Sequence, residues 1–444
     1  VLITRRHAIA SLVSLAALRS RSAAEEGSVH LGENPKVGDT FLCDLQLTVS
    51  GKLKVERDGK PDTIPLEAKA KHQLLERVEA VTDGGIQKAV RHYREAGSDR
   101  VTGVDRGKQL LADDRRGIVV QRTATGPVHY SPAGPLTRDD LELVSEHFET
   151  LAIPGLLPNK PVKVGESWAV SNDTAQAVCL FDGLVKNDLV GKFTGVKDGN
   201  ALFTIEGKAE GIEQGAKVKL TVAAQGTFDT AKHVVVAIRW EQTDERDQGP
   251  VSPALEAKAT IVLTRTAQAV DSKELAEVHA KLPADGKVPE VLTQLRHADA
   301  AYEMLYPRDW YIVVKNDKHL VLRLLNRGEF LAQATIATWK PSAANADAKA
   351  ALTEFVDATK KQPGWEPEKV LENGLLQAEM GRQLYRLSAS GKQDGLDVVQ
   401  SFYLLTGPAG QHVAVANVCG SANLTKVGTQ DVALVTAIDF PAKK

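Results

Sequence analysis

Thr40-Phe41-Leu42-Cys43-Asp44-Leu45-Gln46-Leu47-Thr48-Val49 is the stretch on which the reading of the chain turns. Phe41, Cys43, Leu45, Leu47 and Val49 fall on one side of a period of two, with mostly polar residues between them. Strand side chains alternate between faces, so this pattern is that of an antiparallel strand with one wet face. Gly51, Asp58-Gly59 and Pro61-Asp62 read as turns after it. A second alternating run follows through Leu66, Ala68, Ala70, His72 and Leu74, closing on the hairpin signal Thr82-Asp83-Gly84-Gly85. Further strands are predicted at Ile86–Tyr93, Gly117–Arg122, Ala201–Gly207, Lys217–Gly226, His233–Trp240 and Thr260–Thr266.

Helices are few in this half. Thr137 reads as an N-cap with Asp139 and Asp140 in the first turn, followed by the apolar stripe Leu141, Val144, Phe148 and Leu151, ended by Pro154-Gly155. A short helix is expected over Thr174–Phe181, capped by Asn172 or Asp173. The segment Pro35-Lys36-Val37-Gly38-Asp39-Thr40-Phe41 returns as Val162-Lys163-Val164-Gly165-Glu166-Ser167-Trp168, and two later pairs of motifs keep the same order. These matches suggest a diverged duplication of residues 30–155 as 156–270, within one antiparallel β-rich domain over residues 25–270.

Before that domain lies a different kind of segment. Thr4-Arg5-Arg6 precedes an apolar run from Ala8 to Leu18, and Ser22-Ala23-Ala24 supplies small residues before Glu25. The run is too short for a membrane span and suits a cleavable leader, so residues 1–24 are expected to be a signal peptide resembling the twin-arginine kind. Localisation would then be periplasmic or secreted. The whole chain of 444 residues carries 55 Lys+Arg against 57 Asp+Glu. Without Arg5, Arg6, Arg19 and Arg21 the balance is 51 against 57, a net charge of −6. An acidic chain is a poor partner for nucleic acid, and no stretch is long and apolar enough for an integral membrane helix. Cys43, Cys179 and Cys419 are odd in number and far apart, and read as small buried residues.

After residue 270 a helical linker is expected over 271–300, with Asp271 and Glu274 framing a capping box. From residue 301 the pattern reads as α+β. Strands are expected at Trp310–Val314, Leu320–Leu325, Leu331–Trp339, Leu384–Ser388, Val398–Leu405 and His412–Val418. Helices are expected around Leu352–Thr359, at Pro367–Glu372 ended by Asn373-Gly374, and at Gln430–Ala437. Tyr306-Pro307-Arg308-Asp309-Trp310, Gly381-Arg382 with Tyr385-Arg386, and Gln400-Ser401-Phe402-Tyr403-Leu404 stand in this part. On those motifs residues 301–444 resemble the PsbP-like fold. The resemblance implies an α/β/α sandwich, roles in binding and assembly, and no shared catalytic set. The fold class expected for the chain is therefore α+β: a duplicated antiparallel β-rich domain followed by a PsbP-like sandwich.

No HExxH, GxSxG, strand-linked GxGxxG or EF-hand loop occurs. Gly103-Val104-Asp105-Arg106-Gly107-Lys108-Gln109 is one residue short of a phosphate loop and lacks its Ser/Thr, so it reads as a turn. Ser167 reads as the start of an aromatic-anchored strand, and Glu146-His147 as a solvated pair on a helix. No catalytic residue, metal ligand or cofactor is assigned. The aromatics Tyr306, Trp310, Tyr311 and Trp339 are crowded in a chain poor in aromatics, and are the candidate protein-contact residues. The expected function is that of an exported non-catalytic protein binding or scaffolding another envelope protein. A carrier of an apolar ligand in a curved sheet, with Ala68 and Ala70 leaving room, is the alternative. A hydrolase with dispersed Asp, His and Ser is the second.

Overall fold

A computed structural model describes residues 27–441 apart from 58, 83–84, 124–125, 146, 270–271, 343–347 and 377–381. The expected leader over residues 1–24 lies outside the described residues. The long alternating strand Thr40–Arg57 stands near the middle of a 13-stranded antiparallel sheet. On one side of it come Lys60–Thr82, Gly85–Thr102, Gly117–Thr123 and Gly126–Tyr130. On the other come Ala254–Gln268, Val234–Arg246, Ala216–Asp229, Asn200–Glu213, Val190–Lys197 and Ser167–Ala169. Most neighbours are consecutive hairpins. The longest-range exception is the join of Thr40–Arg57 to Ala254–Gln268, which pairs Thr40 with Gln268 and Lys54 with Ala254.

Two expected turns are absent. Gly51 and Pro61-Asp62 lie inside strands, and the chain reverses only between Arg57 and Lys60, which pair, with Gly59 at a φ of +72°. Gly51 is small for another reason: a Cβ there would come within 2.3 Å of the Glu256 carbonyl oxygen. The phosphate-loop lookalike is the hairpin between Gly85–Thr102 and Asp105–Leu110. Gly38 and Gly165, with φ of +94° and +92°, form matching turns. Gly38 N donates to Val78 O and Gly165 N to Phe193 O, each at 2.8–2.9 Å, and the returning amides bond Asp39 O and Glu166 O.

The inner face of the sheet is covered at one end by the helix Arg138–Ser145, a 3₁₀ segment Thr150–Leu156 and the helix Asn172–Val178. Thr137 caps the first as expected: Asp140 N donates to Thr137 Oγ1 (3.0 Å), and Thr137 N and Oγ1 donate to the Asp140 carboxylate. The helix is shorter than its apolar stripe, because Phe148 and Leu151 are buried from a loop and the 3₁₀ segment, which also contains Pro154. The second helix is capped by Ser171 rather than Asn172 or Asp173. The helix Lys273–His279 is likewise capped by Ser272. Among the described residues no helix is long and apolar enough to cross a membrane.

The expected α+β class is not what forms. The chain is 59% strand and 15% helix. Its C-terminal part is a seven-stranded antiparallel sheet, Trp310–Lys315, Leu320–Asn326, Glu329–Trp339, His412–Gly420, Leu396–Thr406, Gln383–Gln393 and Trp365–Leu376 in spatial order. The predicted helix Pro367–Glu372 with its Asn373-Gly374 cap is the edge strand Trp365–Leu376, which carries two bulges against Gln383–Gln393. The helix Ala348–Thr359 covers one face, packing Phe355 with Trp365, Tyr385, Leu387 and Phe402. The other face contributes Tyr403, Leu405, Val413 and Val415 to the same apolar core as the N-terminal sheet. The short helix Gln430–Thr436 stands on that face, where Asp431 accepts from the Tyr403 hydroxyl, and the rest packs into the shared core, so strand predominates and the expected α/β/α sandwich does not form.

Candidate functional site

The most heavily charged place in the interior lies on the inner face of the long sheet. Glu76 and Arg91 stand opposite each other on neighbouring strands, both fully buried. Arg91 Nε donates to Glu76 Oε2 (2.8 Å), and Arg91 Nη2 to Glu149 Oε1 and Thr150 Oγ1 (2.7 Å each). The His129 ring stands 3.3 Å from the other Glu149 oxygen. Burial opposes the Arg91 charge, but Glu149 and Glu76 outweigh it and hold the guanidinium above its ordinary value. Burial would also raise Glu149, yet Arg91 and His129 hold it well below the usual carboxylate range. His147, expected to be solvated, is buried with Nε2 at 3.1 Å from the Tyr93 hydroxyl, and burial depresses its basicity. These groups clamp the 3₁₀ segment to the sheet. Cys43 beside them has its thiol pushed up to about 12 by burial, so it is inert. All three cysteines are buried and unbridged.

An accessible site lies between the helix 138–145 and the start of the C-terminal sheet. Here a cleft of about 390 Å³ is lined by Arg138, Glu142, His297, Tyr306, Ile312 and Lys315 among others. The Thr137 cap orients the helix so that Arg138 crosses to the C-terminal strands. Its Nη2 donates to Arg308 O (2.7 Å) and Trp310 O (2.9 Å), and its guanidinium lies 4.6 Å from the centre of the Tyr311 ring. Arg308 turns the other way, onto Thr293 O and His129 O, and burial beside Arg138 pulls it down to about 10. Both guanidiniums thus bond backbone carbonyls, Arg138 Nε has no hydrogen-bond partner among the described residues, and the cleft wall carries Asp139 and Glu142 beside Arg138, Arg296 and Lys315. Burial raises the Glu142 carboxyl against the pull of Arg138. Burial pushes the Tyr306 hydroxyl up to about 12 and, with Lys315, depresses His297.

Three of the four aromatics singled out from the sequence meet here. Tyr306 and Trp310 are fully buried in and beside the cleft wall, and Tyr311 is half-buried under Arg138. Trp339 is elsewhere, edge-on to Phe355 at 5.6 Å beneath the helix 348–359. Ser167 is exposed at the start of a short strand, whose Trp168 Nε1 bonds Leu156 O (2.9 Å). Among the described residues no group of three His, Cys, Asp or Glu is placed to hold a metal ion. The contributions of Arg138, Glu142 and His297 were not visible in the sequence; only the Thr137 cap marked that helix.

Next to the cleft the inner face of the sheet is apolar and only half covered. Glu142 acts on Arg100, which stands opposite Ala68. Across the strands, Val49 pairs with Ala68 and Ala259, Leu47 with Ala70 and Ile261, and Leu53 with Ile64 and Leu255. Leu47, Val49, Leu53, Ile64, Leu66, Ala68 and Ala70 are all half-buried, while Lys52, Lys54, Lys69 and Lys71 face solvent from the reverse side. With small side chains opposite Val49 and Leu47, this strip is the candidate apolar trough.

No family model matches the chain, and no curated protein matches it in sequence. Solved structures give slight likenesses. The chain is similar to cyanobacterial PsbP from Synechocystis, with 16% identity and a TM-score of 0.27 over 35% of this chain and 98% of that one. A protein of unknown function from Pseudomonas aeruginosa gives 14% identity and a TM-score of 0.24 over 34% and 99%. Lipovitellin gives 8% identity and a TM-score of 0.31 over 53% of this chain and 26% of that one. Likenesses this slight carry no argument about what the chain does.

Proposed function

We propose that this is an exported, non-catalytic binding protein that carries an apolar molecule with a negatively charged end. The observation that supports the reading most is the half-buried apolar trough of Leu47, Val49, Leu53, Ile64, Leu66, Ala68 and Ala70 beside a cleft lined by Lys315 and by Arg138, whose hydrogen bonds go to backbone carbonyls. The trough would take the apolar body, and Arg138 with Lys315 the charged end. Ligand sites of this kind are mostly apolar with a few placed polar groups. The test is a titration of the full chain with dansyl-undecanoic acid. Binding is expected, and Ala68→Trp, which fills the trough with an apolar group, should weaken it at least about tenfold. No binding, or equal binding by the variant, would overturn the reading.

A second reading, binding or scaffolding of another envelope protein, is favoured by one observation. The edge strand Trp365–Leu376 presents a backbone edge unpaired among the described residues and exposes Val370, Leu371 and Leu375 at 57%, 47% and 67%. Exposed edges recruit strands from partners. A photo-crosslinking side chain at position 371 should join one envelope protein in the native host. A chain that stays monomeric with no adduct would remove this reading.

A further inference from the structure

A second pocket, on the opposite face of the long sheet from the trough, holds a charged group with no visible purpose. Along the strand Gly85–Thr102, Arg91 points to the inner face, so Lys88 and Val90 point to the outer one. On that face the helix Lys273–His279 packs Leu275 and Val278 against Val90 and Val119. Just beyond the helix the segment 279–286 lines one side of an open pocket of about 530 Å³. Its floor is one row of three neighbouring strands: Ala80 pairs with Lys88, and Lys88 with Gln121. The small Ala80 side chain is what leaves the row hollow.

The Lys88 side chain is only 9% exposed. Among the described residues no carboxylate lies within ion-pair distance of its ammonium; Glu79 and Asp285 act on it only from farther away. Burial lowers its basicity, the sign of a cation with incomplete compensation. A buried charge of this kind is costly and is usually paired. The same pocket also holds acceptors without donors. Glu79 is 7% exposed and gives Oε2 to His279 Nδ1 (2.9 Å), but Oε1 has no hydrogen bond, with Arg77 Nε no nearer than 3.7 Å. Gln121 Oε1 is buried without a partner too. Leu282 and Pro283 complete an apolar wall. A cation without a carboxylate within ion-pair distance and two acceptor oxygens without hydrogen-bond donors line one pocket of ligand size.

We propose that this pocket binds a small zwitterion of the amino-acid class, its carboxylate on Lys88 and its ammonium on Glu79 Oε1 and Gln121 Oε1. Each half of such a ligand supplies what the pocket lacks, and the apolar wall of Leu282 and Pro283 accepts a short side chain. The site is independent of the trough, because it lies on the other face and shares no lining residue with the cleft.

The experiment is calorimetric titration of the full chain with L-alanine, and with acetate and methylamine as half-ligands. L-Alanine is expected to bind, and acetate more weakly. Lys88→Met should lower the L-alanine affinity at least about tenfold, since a charge-assisted hydrogen bond is lost. That variant removes a buried charge without a carboxylate within ion-pair distance, so its melting temperature should not fall. Should it nevertheless fail to fold, Gln121→Leu reads the other end of the site: L-alanine binding weakens while acetate binding stays the same. No binding of L-alanine, acetate binding as tight as L-alanine, or L-alanine affinity unchanged in a folded variant would each overturn the proposal.

Discussion

Replacing Asp244 with Asn should stabilise the protein, and only above mildly acidic pH. Asp244 lies on the strand Val234–Arg246, half-buried, in a chain of side chains on the inner face. Trp240 Nε1 donates to Gln242 Oε1 (2.8 Å), and Gln242 Nε2 donates to Asp244 Oδ1 (2.9 Å). Burial pushes the carboxyl from 3.8 up to about 6; Gln242 opposes this, Glu213 adds to it, and Arg246 opposes it. A carboxyl raised in the folded state binds its proton more tightly there than in the unfolded chain. Its contribution is therefore most favourable below pH 4, and stability is lost as pH rises through about 6. The shift of roughly two units corresponds to a ceiling of about 3 kcal/mol at neutral pH, at 1.36 kcal/mol per unit. Water reaching a half-buried carboxyl reduces this to about 1–2 kcal/mol. Asn keeps the acceptor for Gln242 and discards the charge. Urea unfolding at pH 3.5 and pH 7.5 checks it: the midpoints of variant and wild type should coincide at the lower pH, and the variant should lead at the higher. A variant that is less stable at pH 7.5, or a difference independent of pH, would refute the assignment of the cost to buried charge.

Two further outcomes follow from other parts of the fold. Arg91→Ala leaves Glu76 and Glu149 buried without their cation and should cost about 3–5 kcal/mol, seen as a fall in melting temperature and soluble yield. Thr137→Ala removes the cap of the helix 138–145 and should cost about 1 kcal/mol, with faster amide exchange at Asp140 and weaker dansyl-undecanoate binding as Arg138 loosens.

How much of this was legible depended on the range of the interaction. Alternation from Phe41 to Val49 marked a strand and its inner face, because a period of two is a local property of extended backbone. The Thr137 cap and the turns at Gly38 and Gly165 were equally local. The segment Pro367–Glu372 reads as a helix because Asn373-Gly374 resembles a helix cap, and only pairing with Gln383–Gln393 makes it a strand. Gly51 looked like a turn, yet its smallness answers to the Glu256 carbonyl more than two hundred positions away.

The sites were decided at that longer range. Arg91, His129 and Glu149 carry no signature spacing; strand register and a returning 3₁₀ segment bring them together. Lys88 reads as an ordinary strand lysine until Ala80, Gln121 and the segment 279–286 line a pocket with it. The sequence by itself determined the strands, their apolar faces and the local caps, since those depend on residues a few positions apart. Which faces met, which charges were buried together and where a hollow remained were decided only by the tertiary structure, since alternation says which way a side chain points and nothing about what stands opposite.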